Sequence, residues 1–113
     1  MVAKEFSACS ARAQTLRVMS NPQRLALIAI LSRGEESVCR LAELSGGGVS
    51  AVSKHLSLLR MAGLVEARKR GLQVFYSLRC PCVKRLLACI DSVIKSFADK
   101  QLRVLSQLKQ EEL

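Results

Sequence analysis

The sequence predicts a mainly α-helical fold with one small β-hairpin, and three observations carry that prediction. Placed at about 100° per residue, the stretch Val49 to Gly63 puts Val52, Leu56 and Leu59 on one helical face, with Val49 and Ala62 at its margins. Ser50, Lys54 and Ser57 point the opposite way. The next stretch alternates instead: Leu64-Val65 runs into the basic tip Arg68-Lys69-Arg70-Gly71 and returns through Val74, Tyr76 and Leu78, which share one face at period two. Finally, the last stretch carries a helical apolar stripe too long to be buried on so small a domain, and the first carries a narrow apolar seam. A helix feeding directly into a cationic hairpin is the pattern of a winged helix-turn-helix, dimeric through its N- and C-terminal helices.

Taken in order, residues from about Lys4 to Met19 form a helix with Phe6, Cys9, Ala13 and Leu16 as a narrow seam of the kind one helix offers another. Ser20-Asn21-Pro22 is a start signal, with Asn21 as N-cap and Pro22 at the first helical position, where its missing N–H costs nothing. The helix from Pro22 to about Ser32 carries Leu25, Leu27, Ile28, Ile30 and Leu31 around most of its circumference and is expected at the buried centre, with Gly34 ending it. Glu36-Ser-Val38 is a short extended link. Cys39 to Leu44 is a compact helix whose Leu41 and Leu44 face the core, and Ser45-Gly46-Gly47-Gly48 is the turn of the helix-turn-helix. After the wing, Cys80-Pro81-Cys82 breaks the strand and opens a last helix running to about Lys109, striped by Val83, Leu86, Ile90, Val93, Phe97, Leu102, Leu105 and Leu108. The expected organisation is a single domain, 1–113, with dimerisation helices at about 4–19 and 82–109, the helix-turn-helix at about 39–62 and the wing at about 64–78.

Composition narrows the function. At 113 residues the chain is short for a stand-alone enzyme with a deep pocket, and it is read as a non-enzyme. The net charge of +9 points to a polyanionic partner, because neutralising phosphates releases condensed counterions. The cations are also clustered: Lys54, Arg60, Arg68, Lys69, Arg70 and Arg79 stand against Glu66 alone between positions 54 and 79. That places double-stranded DNA first among partners. The major groove admits an α-helix and offers base edges to Ser, Lys and Arg. The expected DNA contacts are Ser50, Ser53, Lys54, His55, Ser57 and Arg60 on the helix, and Arg68, Lys69 and Arg70 on the wing. The wing cations are expected on sugar-phosphate, with one arginine able to enter the minor groove. His55, the only histidine, stands between the core face and the outward face, where the alternative to a DNA contact is satisfying a nearby backbone group. No apolar h-region follows Met1-Val-Ala-Lys-Glu and no long apolar run occurs, so a cytoplasmic protein without membrane contact is expected. In a reducing compartment, five cysteines, an odd number, argue against a structural disulfide framework.

Four segments resemble the ArsR/SmtB family of bacterial winged-helix metal- and thiol-sensing repressors: Met19-Ser-Asn-Pro-Gln-Arg-Leu25, Ser37-Val-Cys-Arg-Leu-Ala42, Ser50 to Val65, and Arg70-Gly-Leu-Gln-Val-Phe-Tyr-Ser-Leu78. The resemblance implies a homodimer on a palindromic operator, its two reading helices in successive major grooves, blocking transcription until an inducer binds. It also implies where an inducer acts. Where the family's arsenical sensors have Cys-x-Cys, this chain reads Ser37-Val38-Cys39, and Cys9 is the candidate partner from the N-terminal segment. Where the family's last-helix site begins, this chain has Cys80 and Cys82, while the later ligands become Val93 and Ser96, which removes an oxygen-and-nitrogen zinc site. The dithiol of the family's persulfide sensors falls on Ala29 and Lys95 and is absent.

The thiols themselves allow two readings. Cys80 and Cys82 sit at a helix start, which favours thiolate, and Cys89 lies two turns on from Cys82, so the three offer a soft sensing site for As(III), Sb(III), Cd(II) or Cu(I), or for an oxidant or sulfane-sulfur species that couples two thiols. Cys9 and Cys39 form a second candidate site. In the other reading the cysteines are small hydrophobes and the protein is a winged-helix DNA-binding regulator without metal or redox sensing. No cofactor is required for DNA binding in either. A thiol oxidoreductase lacks the βαβ surroundings expected around its motif and leaves the basic wing unexplained.

Overall fold

The computed structural model describes Val2–Glu111 and follows the predicted element order with one addition. The helices are α1 (Val2–Met19), α2 (Pro22–Leu31), α3 (Val38–Ser45), α4 (Val49–Met61) and α5 (Cys82–Glu111), and the strands are β1 (Glu36–Ser37), β2 (Val65–Arg70) and β3 (Gln73–Leu78). One compact unit runs through Val83; the second is the remainder of α5.

Local chemistry sets the helix ends. The Asn21 carboxamide oxygen accepts from the backbone N–H groups of Gln23 (2.9 Å) and Arg24 (3.1 Å), and Pro22 follows in the first helical position. Ser37 caps α3 in the same way, its hydroxyl accepting from the Arg40 N–H at 3.2 Å. At the far end of α4 the Leu64 N–H donates to the Leu59 carbonyl and the Gly63 N–H to that of Arg60, both at 3.0 Å, with Gly63 at φ +76°. This is a Schellman ending, which needs a left-handed residue and here joins two buried leucines, Leu59 and Leu64.

The core lies within the first unit. Leu27, Ile28 and Leu31 of α2, Leu41 and Ala42 of α3, and Val52, Leu56 and Leu59 of α4 pack together, closed by Met19, Leu64, Val65, Tyr76 and Val83. Thus the predicted core face of α4 is buried as a set. Two expectations fail. Leu44 is 45% exposed, because α3 is one residue over two turns and Leu41 with Ala42 already spans its inward face. Leu25 and Ile30 are only half-buried, so α2 has a buried side rather than a buried circumference.

The predicted link at Glu36–Ser37 is a strand. It adds to the hairpin to give an antiparallel sheet in the order β1-β3-β2, with Glu36 opposite Tyr76 and Ser37 opposite Phe75. The seam residues of α1 and the stripe of α5 are largely uncovered: Phe6, Leu16, Leu86, Ile90, Val93, Phe97, Leu102, Leu105 and Leu108 are all exposed. Among the described residues, no helix is long and apolar enough to cross a membrane.

Candidate nucleic-acid interface

Helix α4 is framed by backbone devices that leave its outer face to side chains. Gly46 ends α3 in the left-handed region and its N–H reaches the Ala42 carbonyl at 3.1 Å, while Gly48 starts α4 without a side-chain cap. The first N–H groups of α4 are therefore unclaimed by any side chain, and they lie at the positive end of the helix dipole.

With Val52, Leu56 and Leu59 turned inward, Ser50, Lys54 and Ser57 are exposed on the opposite side. Arg60 is exposed in the last turn and Ser53 is half-buried on the same flank. Among the described residues, none of Ser50, Ser53, Lys54, Ser57 or Arg60 spends its side chain on a hydrogen bond or ion pair. They are available donors. His55 is placed differently: it is half-buried on the other flank, with its Nδ1 at 3.4 Å from Nη1 of Arg24 on α2. Apolar side chains missed by the sequence reading share the outer surface, among them Met61 at 84% exposure, which lines a shallow groove with Ala11, Thr15 and Leu58 between α1 and α4.

The wing is β2 and β3 in register from Val65 opposite Leu78 to Arg70 opposite Gln73. Its turn is the two-residue pair Gly71-Leu72, with Gly71 at φ +61° and Leu72 in an ordinary conformation, as a II′ hairpin turn requires. The three cations thus close strand β2 rather than occupy the turn, and the fully exposed Leu72 stands at the tip. Because side chains alternate, Arg68 and Arg70 share the sheet face of Phe75 while Lys69 lies on the face of Tyr76. Arg70 is already engaged: its Nη2 is 3.0 Å from a Glu35 carboxylate oxygen and its guanidinium lies over the Phe75 ring, 5.2 Å from the centroid. Arg68 and Lys69 have no ion-pair partner among the described residues.

The thiols are distributed along the chain. Cys80 and Cys82 are exposed and joined to each other as a disulfide, whereas Cys9, Cys39 and Cys89 are free and exposed. A bridge across one intervening residue closes almost no loop, so it is no structural framework of the kind that stabilises small secreted domains. In the bridged form the pair presents no thiolate to a metal. Among the described residues no three His, Cys, Asp or Glu side chains are grouped to hold an ion. Cys9 and Cys89 are exposed in the single chain, and the Cys9 sulfur lies 3.7 Å from Nη1 of Arg12. Arg79, just before the pair, donates its backbone N–H to the Leu64 carbonyl at 3.0 Å, and the Val83 N–H reaches the Cys80 carbonyl at 3.3 Å.

Comparison with known proteins places this geometry. The model of the bacterial regulatory protein arsR family matches residues 21–67, which contain α2, α3 and the whole of α4. YgaV, an HTH-type transcriptional regulator of Escherichia coli, is 30% identical over 82 residues, covering 72% of this chain and 83% of YgaV. The chain belongs to the ArsR family. This ArsR-family chain is also 41% identical over 66 residues to the biofilm growth-associated repressor of Xylella fastidiosa, 58% of each. The chain spans 34% and 58% of the lengths of two curated relatives it matches, a Mycobacterium tuberculosis HTH-type regulator and that repressor. Its fold is similar to the homodimeric winged helix-turn-helix DNA-binding domain of Mb0332 from Mycobacterium bovis, with a TM-score of 0.75 at 27% identity, covering 85% of this chain and 89% of that one. The winged helix-turn-helix expected from the sequence is the fold observed, and the family is one of regulators, not enzymes.

Proposed function

We propose that this chain is a transcriptional repressor that binds duplex DNA as a homodimer, with α4 in the major groove and the wing along the backbone. The observation that carries the reading is the outer face of α4: Ser50, Lys54 and Ser57 stand exposed and uncommitted opposite the packed face of Val52, Leu56 and Leu59, and the wing adds Arg68 and Lys69, which have no ion-pair partner among the described residues. Ser53, Arg60 and Arg70 extend the contact surface. Two-fold pairing through the uncovered apolar residues of α1 and α5 supplies the second reading helix, which suits a palindromic operator, and the Mb0332 domain is itself a homodimer. The cytoplasm is where such a protein meets its DNA.

The same reading gives the inducer a thiol target at Cys80 and Cys82, with Cys89 as a further thiol and Cys9 with Cys39 as a second candidate site. The closeness of the Cys80 and Cys82 sulfurs suits an oxidant or sulfane-sulfur species that joins them, with As(III), Sb(III), Cd(II) or Cu(I) as the alternative inducers. With a hydroperoxide the step balances: two thiols give up two electrons and two protons, the sulfurs join, and the oxidant leaves as water and an alcohol. An inducer weakens operator binding only through its preference for the protein form that fits DNA poorly.

The test is a fluorescence-anisotropy titration on the DNA upstream of the chain's own gene, repeated with As(III), Cd(II), Zn(II), Cu(I) and a polysulfide. Salt-dependent binding is expected, with release accompanied by a mass change on the peptide holding Cys80 and Cys82. A monomer indifferent to any duplex at low ionic strength overturns the reading.

A further inference from the structure

One side chain touches three helices. Arg24, half-buried on α2, directs Nε at the Val18 carbonyl in the last turn of α1 and Nη1 at His55 Nδ1 on α4. Its own backbone N–H is held by the Asn21 cap, so the start of the side chain is fixed as well as its end. A guanidinium is all donor, so a hydrogen bond between the two requires Nδ1 of His55 to accept and the ring N–H to lie at Nε2.

We propose that Arg24 and His55 form a clasp that sets the rotation of α4 about its own axis, making both of them positioning residues for DNA recognition. The proposal rests on α4 being the reading helix. His55 follows Lys54 directly, about 100° further around the helix, so holding one residue on the α2 side aims the other outward. The grip on Val18 ties that aim to α1, whose exposed seam carries Phe6 and Leu16, and so to the surface on which the two protomers are proposed to meet. Lysine cannot substitute, because a single ammonium lacks the fork that reaches Val18 and His55 together.

The first test needs no DNA. His55 is the only histidine, so a long-range nitrogen–proton correlation spectrum reports its ring alone. The proton is expected on Nε2, and the Nδ1 resonance is expected to move in Arg24→Lys. A proton on Nδ1, or an Nδ1 resonance indifferent to Arg24→Lys, overturns the clasp whether or not the chain binds DNA.

The second test is a double-mutant cycle read as the preference for operator over random duplex. Arg24→Lys and His55→Leu are each expected to lower that preference about tenfold, and the double variant about tenfold in total, since both cut one connection. The salt dependence stays as in the parent, because no phosphate contact is lost. His55→Asn, which returns an acceptor oxygen near the place of Nδ1, is expected to restore most of the preference while leaving the melting temperature with that of the parent. Additive losses, or no rescue by asparagine in a folded variant, show instead that His55 meets the DNA itself.

Discussion

Arg70 reaches back from the end of strand β2 to Glu35, and the two charges sit 3.0 Å apart before any nucleic acid arrives. One of the three wing cations is therefore partly spent inside the protein. Arg68→Ala is expected to weaken binding to every duplex and to shallow the salt dependence by about one counterion, whereas Arg70→Ala does less of both. Glu35→Gln works the other way and tightens binding by releasing Arg70. Anisotropy titrations across a series of salt concentrations read all three, and equal losses for Arg68→Ala and Arg70→Ala would show the ion pair to be broken in the complex.

Lys54 projects from the outer face of α4 rather than from the wing, so its loss has a different signature. Lys54→Ala is expected to cost about 1 to 3 kcal/mol on the operator and to change which bases are preferred at its position. Competition with a set of singly substituted duplexes reads the change. A uniform loss across that set would assign Lys54 to the phosphates.

Phe97 is 64% exposed on α5, a large aromatic ring left uncovered by the described residues of a single chain. Phe97→Glu is expected to leave a folded chain whose mass in solution, by light scattering, falls from that of a dimer to that of a monomer. Operator affinity falls with it, since each protomer then grips one half-site alone. A Phe97→Glu dimer of undiminished stability would place the interface elsewhere.

Cys80→Ser with Cys82→Ser is expected to bind operator as the parent does and to ignore oxidant or polysulfide. Intact mass of the parent should fall by two hydrogens on oxidation and recover with a dithiol reductant. Unchanged inducer response in the double variant moves the sensing function to Cys9, Cys39 or Cys89, or removes it.

Leu56 has no solvent exposure and holds α4 to the core. Leu56→Ala is expected to cost about 2 to 5 kcal/mol by leaving a cavity, seen as a lower melting temperature and a lower urea midpoint. Met61→Ala, at an exposed site on the same helix, should fall within about 0.5 kcal/mol of the parent.

Features written in short-range chemistry were legible in the sequence. Asn21 and Pro22 announce α2 because the cap is made within three residues, and Val52, Leu56 and Leu59 announce the buried face because a helix repeats on that scale. Val74, Tyr76 and Leu78 do the same for the inner face of β3. What escaped needed partners far apart in sequence or elements too short to show a period. Two residues of β1 carry no alternation, Leu44 looks like core until Ala42 takes its place, and nothing local announces that Arg70 leans on Glu35 and Phe75. The candidate DNA-binding residues were named from pattern alone, yet the bond between His55 and Arg24 spans 31 positions and only the folded chain displays it.

The Arg79 N–H fastened to the Leu64 carbonyl has a mechanical meaning. Leu64 is the residue on which α4 comes to rest, and Arg79 is the last before the paired sulfurs. Any chemistry that tugs the strand there pulls first on this amide contact at the foot of α4 and then on the Val65–Leu78 pairing beside it. If the paired sulfurs sense and α4 reads DNA, as proposed, the two share one hinge, and no lever running the length of the molecule is needed to connect them.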